Sequence, residues 1–171
     1  GNLLFAIVTL NIENYFPKLM KITLKNLEEY ANRIGADFLV INERKYPDWP
    51  VTYEKTQMFD ISRCYDWCAF IDADTCLSKN FLNVFTQYPK NVVSFNYSYR
   101  ALTQIRSDRY FDRDTRNIGI AGNFVVASDW CRELWKPLDL SKEEAIQNIY
   151  SPHIIDEYVF SRNFAKYGMH Y

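Results

Sequence analysis

Three apolar runs, each ending in polar residues, constrain what this 171-residue chain can become. They are LLFAIVTLN (3–11), ADFLVIN (36–42) and CAFI running into DAD (68–74). Unbroken apolar runs of this length suit strands buried on both faces of a parallel sheet. Between the first two lies a helical pattern: Leu19, Ile22, Leu27, Tyr30, Ala31 and Ile34 recur at three- and four-residue steps, and Gly35 supplies the stop. Between the second and third, after a loop holding Pro47 and Pro50, the segment from about Thr52 to Asp66 reads as another helix. The order is β-α-β-α-β. Right-handed crossovers make it an α/β fold with a mostly parallel sheet flanked by helices. Ligands of such sheets gather beyond the carboxyl ends of the strands. Asn11, Asn42 and the Asp72/Asp74 pair are therefore expected to face one crevice.

Further along, FLNVFTQY (81–88) reads as a short helix and NVVSFNY (91–97) as a strand. Residues 100–117 are polar, rich in arginine (100, 106, 109, 113 and 116) and without strong periodicity. That favours a loop, partly neutralised by Asp108, Asp112 and Asp114. Its sharper reading is a cover over a phosphate or an acceptor. NIGIAGNFVVAS (117–128) is a glycine-bearing turn leading into a strand. Three helical segments follow, DWCRELWK, SKEEAIQNIY and PHIIDEYVFSRNFAKYG, punctuated by Pro137 and Pro152. With no internal repeat, low-complexity stretch or linker, residues 1–171 are expected to form one domain.

Composition excludes some functions. A formal net charge of −1 offers no electrostatic footing for nucleic acid or an anionic membrane. No run approaches the ~18 apolar residues of a membrane span. The 17% aromatic share permits sugar- or base-stacking surfaces, although an aromatic core accounts for most of it. The spacings of Cys64, Cys68, Cys76 and Cys131 match no zinc pattern, and only His153 and His170 could assist. Reduced, mostly buried thiols in a cytoplasmic protein are the expectation.

The Asp72/Asp74 pair carries the clearest chemistry. Side chains at i and i+2 of an extended segment point the same way. Two carboxylates so placed repel each other unless a cation lies between them. Hard oxygen ligands suit Mg²⁺ or Mn²⁺, ions typically shared with a phosphate. A capping pair at a strand-to-helix turn is the plainer alternative. Its place at the end of the third strand of a β-α series favours a metal-bound diphosphate.

With these residues in view, FIDADTCL (70–77) resembles the DxD segment of GT-A-fold glycosyltransferases, especially the glycogenin-like group. Small algal-virus glycosyltransferases are similar in their compactness. VTLN (8–11) resembles the first-strand turn that grips the nucleotide base, and YEKTQMFDI (53–61) the helix from which a lysine reaches the donor. AGNFVVAS (121–128) resembles the strand lining the sugar pocket, and IIDEYVF (154–160) the acidic helix start beside the donor sugar. The resemblance implies a GT-A, Rossmann-like fold, Mn²⁺ or Mg²⁺ as cofactor, a UDP-sugar as donor and a saccharide or glycoprotein glycan as acceptor. If the source is viral, the host cytoplasm is the expected compartment.

The resemblance also implies individual roles. Of Asp72 and Asp74, assigned to the metal, one binds it directly and the other binds a metal-bound water or a ribose hydroxyl. Ala73, between them, joins the donor site. Thr9 and Asn11 meet a base or ribose, or else serve the turn. Lys55 contacts the donor; a solvated lysine is its ordinary alternative. Gly122 lets backbone approach the sugar closely, and Asn123 lies beside it. Asp156 or Glu157, with Asp156 preferred, accepts the acceptor hydroxyl's proton or holds the donor sugar; otherwise both are acids favoured by a helix N-terminus. The resemblance leans toward retention of anomeric configuration, and an inverting enzyme would use Asp156 as base. The family places a metal-binding histidine near its C-terminus, in a stretch absent here. Either water completes the metal shell or, the preferred expectation, part of the donor site lies beyond Tyr171 in a longer chain with possible further domains; His170 is a poor substitute.

Two other readings compete. DADTCL also fits the hhhDxDx[TV] signature of haloacid-dehalogenase-like phosphatases, where the first Asp is the nucleophile, and Ser94 mimics their second motif. Against this, two β-α units precede the motif and the later paired acidic motif is absent. The third reading is a nucleotide-sugar-binding module without turnover.

Overall fold

The computed structural model of the chain describes residues 2–111 and 118–171, and of Tyr99 and Arg100 the backbone alone. A five-stranded sheet runs through its centre. The strands are β1 (Phe5–Leu10), β2 (Asp37–Ile41), β3 (Trp67–Ile71), β4 (Ser94–Phe95) and β5 (Phe124–Ser128), in the order β2-β1-β3-β5-β4. β1 pairs in parallel with both β2 and β3, while β5 pairs antiparallel with β3 and β4. The sheet is mostly parallel, as expected, with β5 the strand that reverses direction.

The first helix, α1 (Pro17–Ile34), has Pro at its start and ends at Gly35. Gly35 takes the left-handed φ of 73° and donates its N–H to the carbonyls of Ala31 and Asn32. The buried face is Met20, Thr23, Leu27, Tyr30 and Ala31. Leu19 and Ile22, expected on that face, are instead 45% and 65% exposed. At 3.6 residues per turn, Ile22 lies roughly 140° around the helix from Leu27.

The segment expected as a helix from Thr52 to Asp66 is tighter and more broken. A 3₁₀ stretch, Val51–Gln57, leads into one α-turn, α2 (Met58–Ile61), then a further 3₁₀ turn, Ser62–Cys64. The hydroxyls of Thr56 and Ser62 each donate to the carbonyl three residues back, at 2.8 and 3.1 Å, which suits the three-residue winding. FLNVFTQY is not a helix either. Asn83 holds a turn there, its carbonyl accepting from Thr86 and Gln87 and its Oδ1 from the Phe85 N–H. The buried Tyr30 hydroxyl bonds the Leu82 carbonyl and the Val84 N–H. The strand expected over 91–97 shrinks to β4, beside a lone bridge from Val92 to His170.

Arg100–Tyr110 forms a helix, α3, where a loop was expected. Its inward stripe is Thr103, Arg106, Ser107 and Tyr110, in place of the apolar periodicity that reveals helices. Thr103 donates to the Gly119 carbonyl at 3.0 Å, and the Gly119 N–H donates back to Gln104. Asp112, Arg113, Asp114, Arg116 and Asn117 lie outside the described residues, as does the side chain of Arg100. The C-terminal part holds the 3₁₀ stretch Asp129–Trp135, then α4 (Lys142–Gln147), a 3₁₀ turn Pro152–Ile154 and α5 (Ile155–Lys166).

Two apolar layers cover the sheet. The larger joins Ala6, Val8, Cys68 and Phe70 to Tyr53, Met58, Trp135 and the α5 residues Val159 and Phe160. The smaller joins Ile7, Ala69 and Ile71 to the α1 residues Leu27, Tyr30 and Ala31 and to Val84 and Phe85. Cys68 and Cys131 are buried, whereas Cys64 and Cys76 are exposed, so half of the thiols depart from the expected burial. Among the described residues no helix is long and apolar enough to cross a membrane.

Gly119 is where α3 meets this framework. A Cβ there would lie 2.2 Å from the carbonyl carbon and oxygen of Thr103. Backbone cannot yield as a flexible side chain can, so Gly119→Ala should push α3 outward and cost about 1–3 kcal/mol. Urea unfolding monitored by circular dichroism measures this, with an unchanged midpoint as the contrary outcome.

Candidate functional site

The carboxyl ends of β1, β2 and β3 share one edge of the sheet because the strands are parallel. The chain leaves β1 toward β2 on one side and later returns to β3 on the other. The edge between β1 and β3 is therefore the point where the winding reverses, the usual ligand site of such sheets. β5 runs the opposite way and begins at this same edge. Its pairing sets Ile71 opposite Phe124, and the Asp72 N–H donates to the Asn123 carbonyl at 2.9 Å.

Lys55 is the hub of the site. Its side chain is 4% exposed, far from the solvated lysine of the plainer expectation. Nζ lies 2.9 Å from Asp72 Oδ1, 2.7 Å from Asp156 Oδ2 and 2.9 Å from the Gly122 carbonyl oxygen, and 4.7 Å from the centre of the Phe70 ring. Three ammonium donors thus meet three oxygens. Burial acts to lower the Lys55 pKa, but the charges of Asp156 and Asp72 outweigh it and hold the group above the ordinary lysine value. Asp72 is pushed above the usual carboxylate range by burial, with the charges of Asp156 and Asp74 adding to the rise and Lys55 opposing it.

The N-terminal turn of α5 brings a second ion pair alongside. Arg106, one of the arginines of the expected loop, reaches from α3 to Glu157 in a two-pronged contact, Nε to Oε1 at 2.8 Å and Nη2 to Oε2 at 2.7 Å. Burial raises the Glu157 pKa, Arg106 opposes that rise, and Arg106 itself is raised chiefly by this hydrogen bond. Both α5 acids are buried with specific partners, so they are more than charges placed near a helix end. Gly122 makes the arrangement possible: a Cβ there would lie 2.2 Å from Asp156 Oδ2.

These groups line a pocket of about 260 Å³. Six expected residues meet in it: Lys55, Asp72, Gly122, Asn123, Asp156 and Glu157. Thr52, Thr103, Arg106 and His153 join them without having been picked out as site residues. Asn123 Oδ1 is buried and has no hydrogen-bond partner among the described residues. Such acceptors are normally satisfied, so this one suits a ligand hydroxyl or water.

The remaining expected residues lie elsewhere along the edge. Ala6 and Val8 belong to the larger layer and Ile7 to the smaller, so Thr9 points toward α1, while Asp72 follows Cys68 and Phe70 to the opposite face. Thr9 and Asn11 therefore do not join the Lys55 pocket. Thr9 Oγ1 and Asn11 Oδ1 are nevertheless buried without partners among the described residues, two further acceptors beside the end of β1. Asn42 and Asp74 are exposed and Ala73 is buried, all outside the pocket lining. The single crevice of the sequence reading is thus divided. His170 is exposed beside Asn91, Trp130 and Glu133, away from Asp72.

Among the described residues no cluster of three or more His, Cys, Asp or Glu side chains could hold a metal ion. Asp72 and Asp74 supply two carboxylates within electrostatic reach of each other. That donor set fits a Mg²⁺- or Mn²⁺-like ion that keeps several waters and shares substrate phosphates, and it does not fit an all-protein cage. Charge points the same way. Asp72, Asp74, Asp156 and Glu157 face Lys55 and Arg106, a formal surplus of two negative charges when all are ionised.

No protein-family model and no curated protein sequence matches this chain. Among solved structures, its fold is similar to that of a glycosyltransferase involved in the glycosylation of the major capsid of PBCV-1. The TM-score is 0.57 at 15% identity, over 93% of this chain and 77% of that one. The likeness is one of fold.

Removing Lys55 strands two carboxylates, one of them buried. Lys55→Met should lower unfolding stability by about 3–5 kcal/mol, measurable in guanidinium titrations. Asp72 behaves oppositely. Its folded pKa lies above the unfolded value, so stability falls as pH rises from the unfolded pKa through the folded one. Asp72→Asn removes that penalty. Its melting temperature, relative to the unsubstituted protein, should rise between pH 4 and pH 7; a constant difference across that range would contradict the assignment.

Proposed function

We propose that this chain is a GT-A-type, metal-dependent glycosyltransferase that moves a sugar from a nucleoside-diphosphate sugar, a UDP-sugar by preference, to a hydroxyl of a glycan acceptor. The observation that carries the reading is the buried Lys55 held between Asp72 and Asp156 at the reversal point of a parallel sheet. The fold likeness to a glycosyltransferase supports it.

The residues divide the work by position. Asp72 and Asp74 would hold Mn²⁺ or Mg²⁺ together with phosphate oxygens and water. Such an ion, when bound, stabilises the charge that develops on a departing diphosphate. Lys55 fixes the Asp72 and Asp156 carboxylates in one geometry and places positive charge beside the phosphates. Asp156, brought close by Gly122, faces the hydroxyls of the donor sugar or takes the proton of the attacking acceptor hydroxyl. Glu157 is tied on both oxygens to Arg106 and serves as a support. Asn123 Oδ1 accepts from a donor hydroxyl. Thr9 and Asn11, on the other side of the edge, suit the base and ribose. In the transfer the acceptor oxygen bonds to the anomeric carbon, the bond from that carbon to the phosphate oxygen breaks, and the nucleoside diphosphate departs.

The test is UDP release from a panel of UDP-sugars with and without Mn²⁺. Metal-dependent release is expected, reduced about 10²-fold or more in Asp72→Ala and in Asp74→Ala. Phosphate release from small phosphoesters would point to the phosphatase chemistry that the DxD run also fits, and saturable UDP-sugar binding without turnover would point to a binding module.

A further inference from the structure

A second pocket, of about 220 Å³, lies beside the first and has no role in the chemistry above. Arg109, Tyr110, Gln147, Asn148, Ile149 and Tyr150 line it. The two pockets share α3. Arg106 lines one, and Arg109 and Tyr110 line the other, about one helical turn or 5.4 Å further along. Tyr110 also reaches α5, its ring 5.8 Å from that of Tyr158, which follows the Glu157 of the first pocket. Glu157 and Arg106 act electrostatically on the Tyr110 phenol.

The lining has a specific chemical character. Tyr150 stays 56% exposed although the Arg109 guanidinium sits 4.4 Å from its ring centre and the Tyr110 ring 6.2 Å away. Gln147 and Asn148 add two side-chain amides, each with donors and an acceptor. The Asn148 amide is oriented by donating to the Glu144 carbonyl at 2.9 Å. The Tyr110 hydroxyl is buried and has no hydrogen-bond partner among the described residues. Buried hydroxyls are ordinarily satisfied, so a partner belongs there. An amphipathic aromatic ring, two amides and an orphan phenol describe a receptor for a neutral ring carrying many hydroxyls. Among the described residues of the lining there is no carboxylate. The volume is below the roughly 300–1,000 Å³ of pockets for drug-sized ligands and suits a single ring.

We infer that this pocket is a saccharide subsite holding the acceptor glycan one ring away from the transfer site. The acceptor assignment rests on the glycosyltransferase reading; the saccharide-binding assignment rests on the pocket alone. Tyr150 provides a face for the pyranose ring, and Tyr110, Gln147 and Asn148 take its hydroxyls. The donor pocket and this subsite, joined along α3, then set the spacing between the reacting hydroxyl and the next sugar of the acceptor.

The experiment uses methyl glycosides of glucose, galactose, mannose and xylose as probes, with binding read by saturation-transfer NMR and UDP release read on the same preparations. At least one glycoside should bind. Tyr110→Phe and Tyr150→Ala should each weaken that binding about tenfold and raise the acceptor KM to match. Tyr110→Phe is the sharper variant: deleting an orphan buried hydroxyl leaves the melting temperature equal or higher, whereas a hydroxyl with a structural role would lower it. Trp130→Ala, at an exposed aromatic that lines neither pocket, should change neither reading. Binding that persists in both tyrosine variants, or no glycoside binding at all, overturns the subsite even if metal-dependent UDP release stands. Tyrosine-dependent glycoside binding without UDP release keeps the saccharide site and removes the transferase reading.

Discussion

One buried ammonium organises this molecule's working edge. Lys55 lies in the 3₁₀ stretch after β2, Asp72 at the end of β3, Asp156 in the first turn of α5 and Gly122 just before β5. Four segments distant in sequence therefore converge on one nitrogen. Stability alone does not explain such a contact. Removing charges from water is costly, and apolar groups of similar volume often hold a fold as well or better. What the ammonium supplies is position: two carboxylates that would repel each other are held at fixed places on the wall of a pocket. A site where charge moves benefits from that preorganisation, because dipoles already in place do not reorganise.

The cluster is also out of electrostatic balance. Lys55 serves both Asp72 and Asp156, Asp74 adds to the repulsion on Asp72, and the single charge of Arg106 is matched by Glu157. The imbalance shows as a carboxylate pushed upward in pKa despite a lysine 2.9 Å away. Perturbation of that kind, in an open pocket at a sheet edge, is typical of sites awaiting a cation or a reacting group. The two-carboxylate donor set narrows the choice to an ion that brings much of its own shell. Asp72 and Asp156 are also set apart: the first sits with Asp74 toward the exposed turn, the second inward against Gly122.

Much of the fold could be read in the chain because parallel strands buried on both faces leave uninterrupted apolar runs. The same property exposed Asp72 and Asp74, which end such a run. Lys55 was legible only through a resemblance, since nothing local distinguishes a buried lysine from a solvated one. The helix carrying Arg106 escaped because its inward residues, Thr103, Arg106, Ser107 and Tyr110, are polar or amphipathic, with Thr103 and Arg106 bonded to Gly119 and Glu157, and leave no hydrophobic period. Thr9 shows a different limit. Its place at a strand end was apparent, but which face of the sheet it serves follows from strand parity, which separates it from Asp72 once the layers are known.

The lead-in to β5 explains how two helices reach one site. Gly119 and Gly122 are three residues apart, and each lacks a side chain where another element must pass. At Gly119 the passing element is the backbone of α3 at Thr103; at Gly122 it is the carboxylate of Asp156 on α5. Between them Ile120 donates its N–H to Ser161 of α5, fastening the segment to that helix. Arg106 and Glu157 then close the gap between α3 and α5. The geometry of the Lys55 cluster is therefore coupled to the position of α3, and α3 in turn carries Arg109 and Tyr110 into the neighbouring pocket. A displacement of α3 at Gly119 would be felt at both pockets together, which makes the two glycines positioning elements for the pair and not only for the strand they precede.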